Sequence, residues 1–202
     1  MSKKKKSIDA FRVGEHAIFP LHGIAEISDI SSVMVSNQEI ECIRLEFERK
    51  KMSLFLPVKK LEALGLRCLI KSSEAVEVLK TLKETSKFLR VIWNRRSKEY
   101  ESKIQSGSIF SCAEVVRDLY KNTNNPNRSY TEAVIYEEAF YRVVSEISVV
   151  QGKAYSEIEK EMNSILSKYH ETYQSINNLL DEPEEIIEES FDDEEFKKVA
   201  NA

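Results

Sequence analysis

The spacing of apolar residues changes near residue 70, and this change constrains the fold more than any other feature of the sequence. Before it, apolar and polar residues alternate in short runs, which is typical of half-buried β-strands. Glycine, proline and asparagine interrupt the runs at turn-like intervals. Because strands this short usually hide their edges by curling, residues 8–68 are predicted to form a small SH3/Tudor-like antiparallel β-barrel. The alternating apolar positions are Val13, Ala17, Phe19, Ile24, Ile27, Ile40, Cys42, Leu45, Phe47, Leu54 and Leu56.

From Ser72 onward the apolar residues recur with the period of an amphipathic helix. In the first helix the predicted buried arc is Ala75, Val76, Val78, Leu79 and Leu82. Three capping boxes, in which a serine and a glutamate three residues later satisfy the first backbone N–H groups, predict helix starts near residues 112, 130 and 157. These boxes are Ser111 with Glu114, Ser129 with Glu132, and Ser156 with Glu159.

The segment Tyr130–Val150 is apolar on most faces, which predicts the central helix of a bundle. A fifth helix is expected to end near Leu180, before Pro183, and Pro126 predicts a loop over residues 122–128. The predicted fold class is therefore α+β, with the barrel followed by an all-helical domain of about five helices over residues 72–178.

Charge is distributed unevenly along the 202 residues. Residues 181–202 contain ten acidic residues and two lysines, a formal charge of −8, whereas residues 1–180 carry +4. We expect residues 181–202 to be a disordered acidic tail and residues 1–7 a flexible basic N-terminus. A second basic segment, residues 87–104, contains six basic and two acidic residues and is the predicted docking site for a polyanion.

The sequence contains no phosphate-binding glycine loop, nucleophile elbow or metal-ligand spacing. Its three cysteines and three histidines are too scattered for a disulfide framework or a zinc module. No apolar run approaches the roughly 20 residues that a membrane span needs, and residues 1–6 lead into no signal-peptide core. We expect a soluble cytoplasmic monomer without cofactor or membrane contact. An enzyme with a pocket between the two domains is a disfavoured alternative.

Five segments resemble the CarD/CdnL family, whose barrel is shared with the RNA-polymerase-interacting module of the transcription-repair coupling factor. In the first half they are Phe11–Ile27 (FRVGEHAIFPLHGIAEI), Leu56–Val58 (LPV) and Leu64–Arg67 (LGLR). In the second half, Trp93–Lys98 (WNRRSK) and Ala113–Leu119 (AEVVRDL) resemble the helical domain of the family. The resemblance covers about residues 11–168.

The resemblance implies a bacterial transcription regulator. Its barrel would bind the β subunit of RNA polymerase, and its helices would contact promoter DNA just upstream of the melted bubble without reading sequence. Some relatives carry arginines on the polymerase-facing surface of the barrel at places that correspond here to Val33 and Phe55. Such a protein would stabilise the promoter open complex and would associate with the nucleoid through the polymerase.

For the DNA contact, the resemblance implies that Trp93 is a minor-groove wedge and that Arg95 and Lys98 contact phosphates, with Arg96 between them. Taken alone, helical periodicity favours a core position for Trp93, on the arc that also carries Phe88, Leu89, Ile92, Tyr100 and Ile104. The alternative function is a polymerase-bound adaptor whose helical domain binds another protein and keeps Trp93 packed inside.

Overall fold

A computed structural model describes residues 10–35, 37–85, 93–120 and 129–180. An antiparallel sheet is followed by a helical region, which confirms the predicted α+β class. The strands are β1 (His16–Phe19), β2 (Gly23–Val35), β3 (Gln38–Phe47), β4 (Met52–Pro57) and β5 (Arg67–Cys68). The helices are α1 (Ser72–Thr81), α2 (Trp93–Gln105), α3 (Ile109–Tyr120), α4 (Tyr130–Gln151) and α5 (Tyr155–Leu180), and a 3-10 turn lies at Val58–Lys60.

The five strands pair in the order β4-β3-β2-β1-β5, and every pair is antiparallel. Within the described residues no ladder joins β4 to β5, so these two strands are the edges of the sheet and the predicted barrel is not closed by backbone pairing. The sheet core contains Phe11, Ala17, Phe19, Ala25, Ile27, Ile43, Leu45, Phe47, Leu61 and Leu66. Burial of this apolar face is what fixes the register, because a slip of one residue would turn the face towards solvent.

Helix α4 is the centre of the helical domain, as predicted. It contacts the other four helices and also β2. Its fully buried residues, each 0% exposed, include Ala139, Val143, Val144 and Ile147. The core that surrounds them takes residues from all five helices and is separate from the core of the sheet.

Of the three predicted capping boxes only the second is confirmed. Ser129 Oγ accepts a hydrogen bond from the Glu132 N–H at 3.1 Å, and the Glu132 carboxylate accepts one from the Ser129 N–H at 3.2 Å. The boxes at Ser111 and Ser156 are wrong, because α3 and α5 begin earlier and both serines lie inside the helices. Ser108 instead precedes α3, and its hydroxyl accepts from the Ser111 N–H at 3.4 Å.

One further expectation needs correction. Val76 is 53% exposed, because it lies one residue off the face on which Ala75, Val78 and Leu82 pack. Arg117 and Asp118 form a salt bridge at 2.9 Å with both side chains buried, and Arg117 also pairs with Glu84, which follows α1, at 3.3 Å.

The predicted N-terminal segment, the loop at 122–128 and the acidic tail lie outside the described residues. Across the ranges that the structure describes, no helix combines the length and the apolar character that crossing a membrane requires.

Candidate DNA and polymerase interfaces

Trp93 lies in the first turn of α2 and is half-buried. Its inner side packs on the helical core, where the ring centroid lies 6.5 Å from that of Tyr100. Burial, followed by the charge of Asp118, raises the pKa of Tyr100 to about 12, so the phenol beneath the tryptophan stays neutral. The Trp93 side chain is therefore neither fully buried in the core nor fully exposed to solvent. Of the other residues on its predicted arc, Tyr100 and Ile104 are buried, and Phe88, Leu89 and Ile92 lie outside the described residues.

The three cationic residues after Trp93 have different surroundings. Arg95 and Lys98 are exposed, and neither forms an ion pair with another residue in the described part of the chain. Their spacing of three residues puts them on one side of α2. Arg96 is held by the protein itself: its guanidinium lies 5.3 Å from the Trp93 ring centroid and 3.8 Å from a Glu132 oxygen. The side chains of Arg95 and Lys98 thus extend into solvent, whereas Arg96 braces the tryptophan.

Glu132 is a supporting residue that sequence reasoning placed in a cap but did not connect to Trp93. One carboxylate oxygen accepts from the Ser129 N–H that begins α4, and the other faces Arg96. The start of α4 is thereby joined to the start of α2. The capping pattern predicts the contact of Glu132 with the Ser129 N–H. No local pattern predicts its contact with Arg96, which lies on another helix.

A second exposed surface lies on the sheet. Strand β4 is an edge strand, and along it Leu54 and Leu56 pack against the sheet core while Phe55 points outward and is 56% exposed. Arg44, the neighbour of Phe55 on β3, places its guanidinium 5.4 Å from the Phe55 ring centroid. On β2, Val33 is 38% exposed and Met34 is 66% exposed. Met34 was missed, because alternation alone does not reveal which residues at the end of a long hairpin lack a neighbour.

The sheet and the helical domain meet through charged groups of α4. Arg142 donates to the carbonyl oxygens of Pro20 (2.6 Å), Leu21 (3.1 Å) and Ile104 (2.9 Å). Arg67 of β5 forms a two-point ion pair with Glu146, at 2.6 and 2.8 Å. These contacts were also missed. The available signal was a pair of opposite charges, Arg142 and Glu146, four residues apart in the mostly apolar second half of α4.

A cleft of about 1050 Å³ opens between the sheet and helices α4 and α5. Its lining mixes charges, and within it Arg44 pairs with Glu46 at 3.3 Å. Arg49 stacks on the Tyr141 ring at 4.1 Å from the centroid. His22 does not line this cleft; its pKa is lowered by burial and by the neighbouring charges of Lys50 and Arg142. Ion pairing and stacking thus account for Arg44, Glu46 and Arg49 in the cleft.

Two family comparisons match the two halves of the chain. Residues 11–70 match the CarD-like/TRCF RID domain, and residues 77–163 match the CarD C-terminal domain. The chain belongs to the CarD/CdnL family. YdeB of Bacillus subtilis (strain 168), a candidate transcription factor, is similar to this chain, with 24% identity over 144 residues. The similarity covers 70% of this chain and 93% of YdeB.

Membership of the CarD/CdnL family makes this chain a transcription factor whose sheet domain is of the polymerase-interacting (RID) type. The matched regions include both surfaces described above. Trp93, Arg95 and Lys98 lie in the CarD C-terminal domain, and Val33 and Phe55 lie in the RID domain.

Proposed function

We propose that this CarD/CdnL-family protein binds the RNA polymerase β subunit through its sheet domain and stabilises the promoter open complex by contacting DNA at the upstream edge of the bubble. The DNA contact is independent of sequence, and Trp93 is its wedge. The observation that carries this proposal is the arrangement at the start of α2. A braced, half-buried tryptophan lies there beside the exposed cations Arg95 and Lys98.

For the polymerase contact, β4 offers both backbone and side-chain groups. An edge strand has unpaired N–H and C=O groups that can pair with a strand of another chain, which gives affinity without demanding particular side chains. Phe55 adds an exposed apolar anchor on that strand, and Val33 contributes a smaller one on β2. Aromatic anchors of this kind are typical of residues that dominate binding energy.

For the DNA contact, the cations and the ring have separate tasks. Arg95 and Lys98 supply electrostatic affinity for phosphates, which does not depend on base sequence. Inserting an aromatic wedge costs a few kcal/mol for each base step that it unstacks. At the edge of a melted bubble part of this cost has already been met. A ring held in place there would slow reannealing of the bubble.

Arg96 and Tyr100 hold the Trp93 ring in place, and an ordered ring is better suited to act as a wedge than a mobile ring. A side chain that is already ordered loses little conformational entropy when it binds. Anchoring to the polymerase would keep α2 near the bubble at high effective concentration, so the intrinsic affinity of α2 for DNA need not be high.

Trp93 is the sole tryptophan of the chain, so its fluorescence reports directly on this contact. On titration with a forked DNA that mimics the upstream bubble edge, we expect quenched emission, and less quenching with fully paired duplex. Lys98→Ala should shift the titration to higher DNA concentration. The matched control is Lys103→Ala on the same helix, because the Lys103 ammonium already pairs with Glu114 at 3.1 Å. Unchanged emission with every DNA, together with intact polymerase binding, would favour the adaptor alternative.

The polymerase contact has its own test. Phe55→Ser should weaken binding to the isolated β subunit, whereas the control Val76→Ser, which also removes an exposed apolar side chain but from α1, should not. Equal binding by both variants would remove Phe55 from the interface.

A further inference from the structure

We infer that the charged groups of α4 form a latch which fixes the sheet domain relative to α2, and that Arg67, Arg142 and Glu146 are positioning residues for the DNA contact. The latch is the set of contacts that these three residues make across the domain boundary. The inference rests on the proposed function for its consequence at the promoter, but its geometric part can be tested without polymerase or DNA.

Glu146 is the buried centre of the latch. Its side chain is only 3% exposed, and both carboxylate oxygens accept from the Arg67 guanidinium, at 2.6 and 2.8 Å. The Ile70 N–H, in the connection between the domains, donates to the same carboxylate at 3.1 Å. Two-point pairing of an arginine with a carboxylate fixes both distance and orientation. A strand of the sheet is therefore held to α4 in one geometry.

Arg142 lies one helical turn before Glu146 and extends the latch to the turn between β1 and β2. Its side chain is 9% exposed. Its guanidinium donates to the carbonyls of Pro20 and Leu21, in the turn between β1 and β2, while its Nε donates to Glu138 at 3.0 Å. The latch thus contacts the sheet at two points, β5 and the β1–β2 turn, and rotation about either point alone is resisted by the other. Arg49, between β3 and β4, adds a separate contact with α4 by pairing with Glu138 at 3.1 Å.

The latch also holds the end of α2. The Arg142 guanidinium donates to the Ile104 carbonyl at 2.9 Å, and Arg67 Nε donates to the Gly107 carbonyl at 2.8 Å. The same helix carries Trp93 at its other end. With a rise of 1.5 Å per residue, Trp93 lies about 16 Å along α2 from Ile104. A rotation of roughly 10° at the latch would displace the tryptophan by about 3 Å, close to the spacing of one base step.

The consequence concerns simultaneous binding. If the sheet is docked on the polymerase, the latch determines where Trp93, Arg95 and Lys98 meet the DNA. A fixed orientation keeps these groups at high effective concentration at the bubble edge, and a loose one spreads them over a larger volume. Loss of the latch should therefore spare each separate contact and weaken their combined effect.

The test uses the full chain with Glu146→Gln, in which the amide NH₂ would face the Arg67 donors. Residual dipolar couplings measured by NMR give an alignment tensor for each domain. For the wild type we expect one shared tensor, and for the variant two different tensors with both domains still folded. Glu161→Gln, at the exposed Lys153–Glu161 pair (3.6 Å), is the matched control and should retain the shared tensor. If Glu146→Gln fails to fold, Arg67→Lys takes its place, because lysine keeps the charge but cannot reproduce the two-point pairing.

The second part of the test measures the lifetime of the open complex at saturating protein. The affinities of the protein for the β subunit alone and for forked DNA alone are measured separately. We expect the variant to lose at least about tenfold in its effect on lifetime, with both separate affinities unchanged. A shared tensor in the folded variant would overturn the latch, whatever the promoter result. Divergent tensors with a wild-type lifetime would overturn the positioning role and leave the proposed function intact. If the wild type itself did not lengthen the lifetime, the proposed function would fail together with the positioning role, and the tensors alone would decide the latch.

Discussion

Replacing Arg67 with methionine should destabilise the protein mainly because the buried carboxylate of Glu146 loses its charged partner. Glu146 is 3% exposed, and after the change the Ile70 N–H, at 3.1 Å, would be the one remaining donor to its oxygens among the described residues. Removing one partner of a buried ion pair typically costs about 3–5 kcal/mol. Because the Arg67 side chain is 31% exposed, water can reach part of the site, and we expect about 2–4 kcal/mol. For a chain of this length that corresponds to a fall of roughly 4–16 °C in Tm.

The double variant Arg67→Met with Glu146→Leu separates this charge effect from simple loss of contacts. It removes both charges, and replacing a buried ion pair with apolar residues often leaves the free energy of unfolding unchanged. It should therefore be more stable than Arg67→Met alone, although the bond to the Gly107 carbonyl is lost in both. Thermal and denaturant unfolding of the wild type, Arg67→Met and the double variant gives the comparison. A double variant less stable than the single one would show that an unpaired Glu146 is not the source of the lost stability.

Three further predictions concern the surface and the termini. Arg95→Ala or Lys98→Ala should reduce the salt dependence of DNA binding by about 0.9 in log–log slope for each lost phosphate contact, equally for all sequences; a defect limited to some sequences would contradict this. A thiol reagent followed by mass spectrometry should modify exposed Cys68 before Cys112, since burial raises the pKa of Cys112 to about 11; equal rates at neutral pH would contradict its burial. Deleting residues 181–202 should leave Tm unchanged, and a marked fall would show that the tail packs on the fold.

Local patterns explain which parts of the fold could be predicted. Alternation predicted the strands and the 3.6-residue period predicted the helices, because both follow from which face each segment buries. Capping succeeded at Ser129, where serine and glutamate both reach backbone N–H groups. It failed at Ser111 because Ser108 lies one turn earlier and precedes the helix. A Ser-x-x-Glu sequence inside a helix cannot be distinguished, from the sequence alone, from one that begins a helix.

The candidate site was only partly predictable, since its geometry depends on residues distant in sequence. The resemblance directed attention to Trp93 and its cations, while the contacts that distinguish Arg96 from Arg95 and Lys98 come from Glu132 on another helix. The latch joins residues 79 positions apart in the case of Arg67 and Glu146. No periodicity reports such pairs. A charged residue within an apolar helix indicates that a partner exists but not which residue it is.

The proposed role of Trp93, at the start of α2, can be measured through the lifetime of a preformed polymerase–promoter open complex challenged with competitor. Three samples are compared: no added protein, the wild type, and Trp93→Ala at concentrations that saturate the polymerase. We expect the wild type to lengthen the lifetime and the folded variant, bound equally well to polymerase, to leave it unchanged. Equal lifetimes with the wild type and the variant would show that Trp93 does not stabilise the open complex.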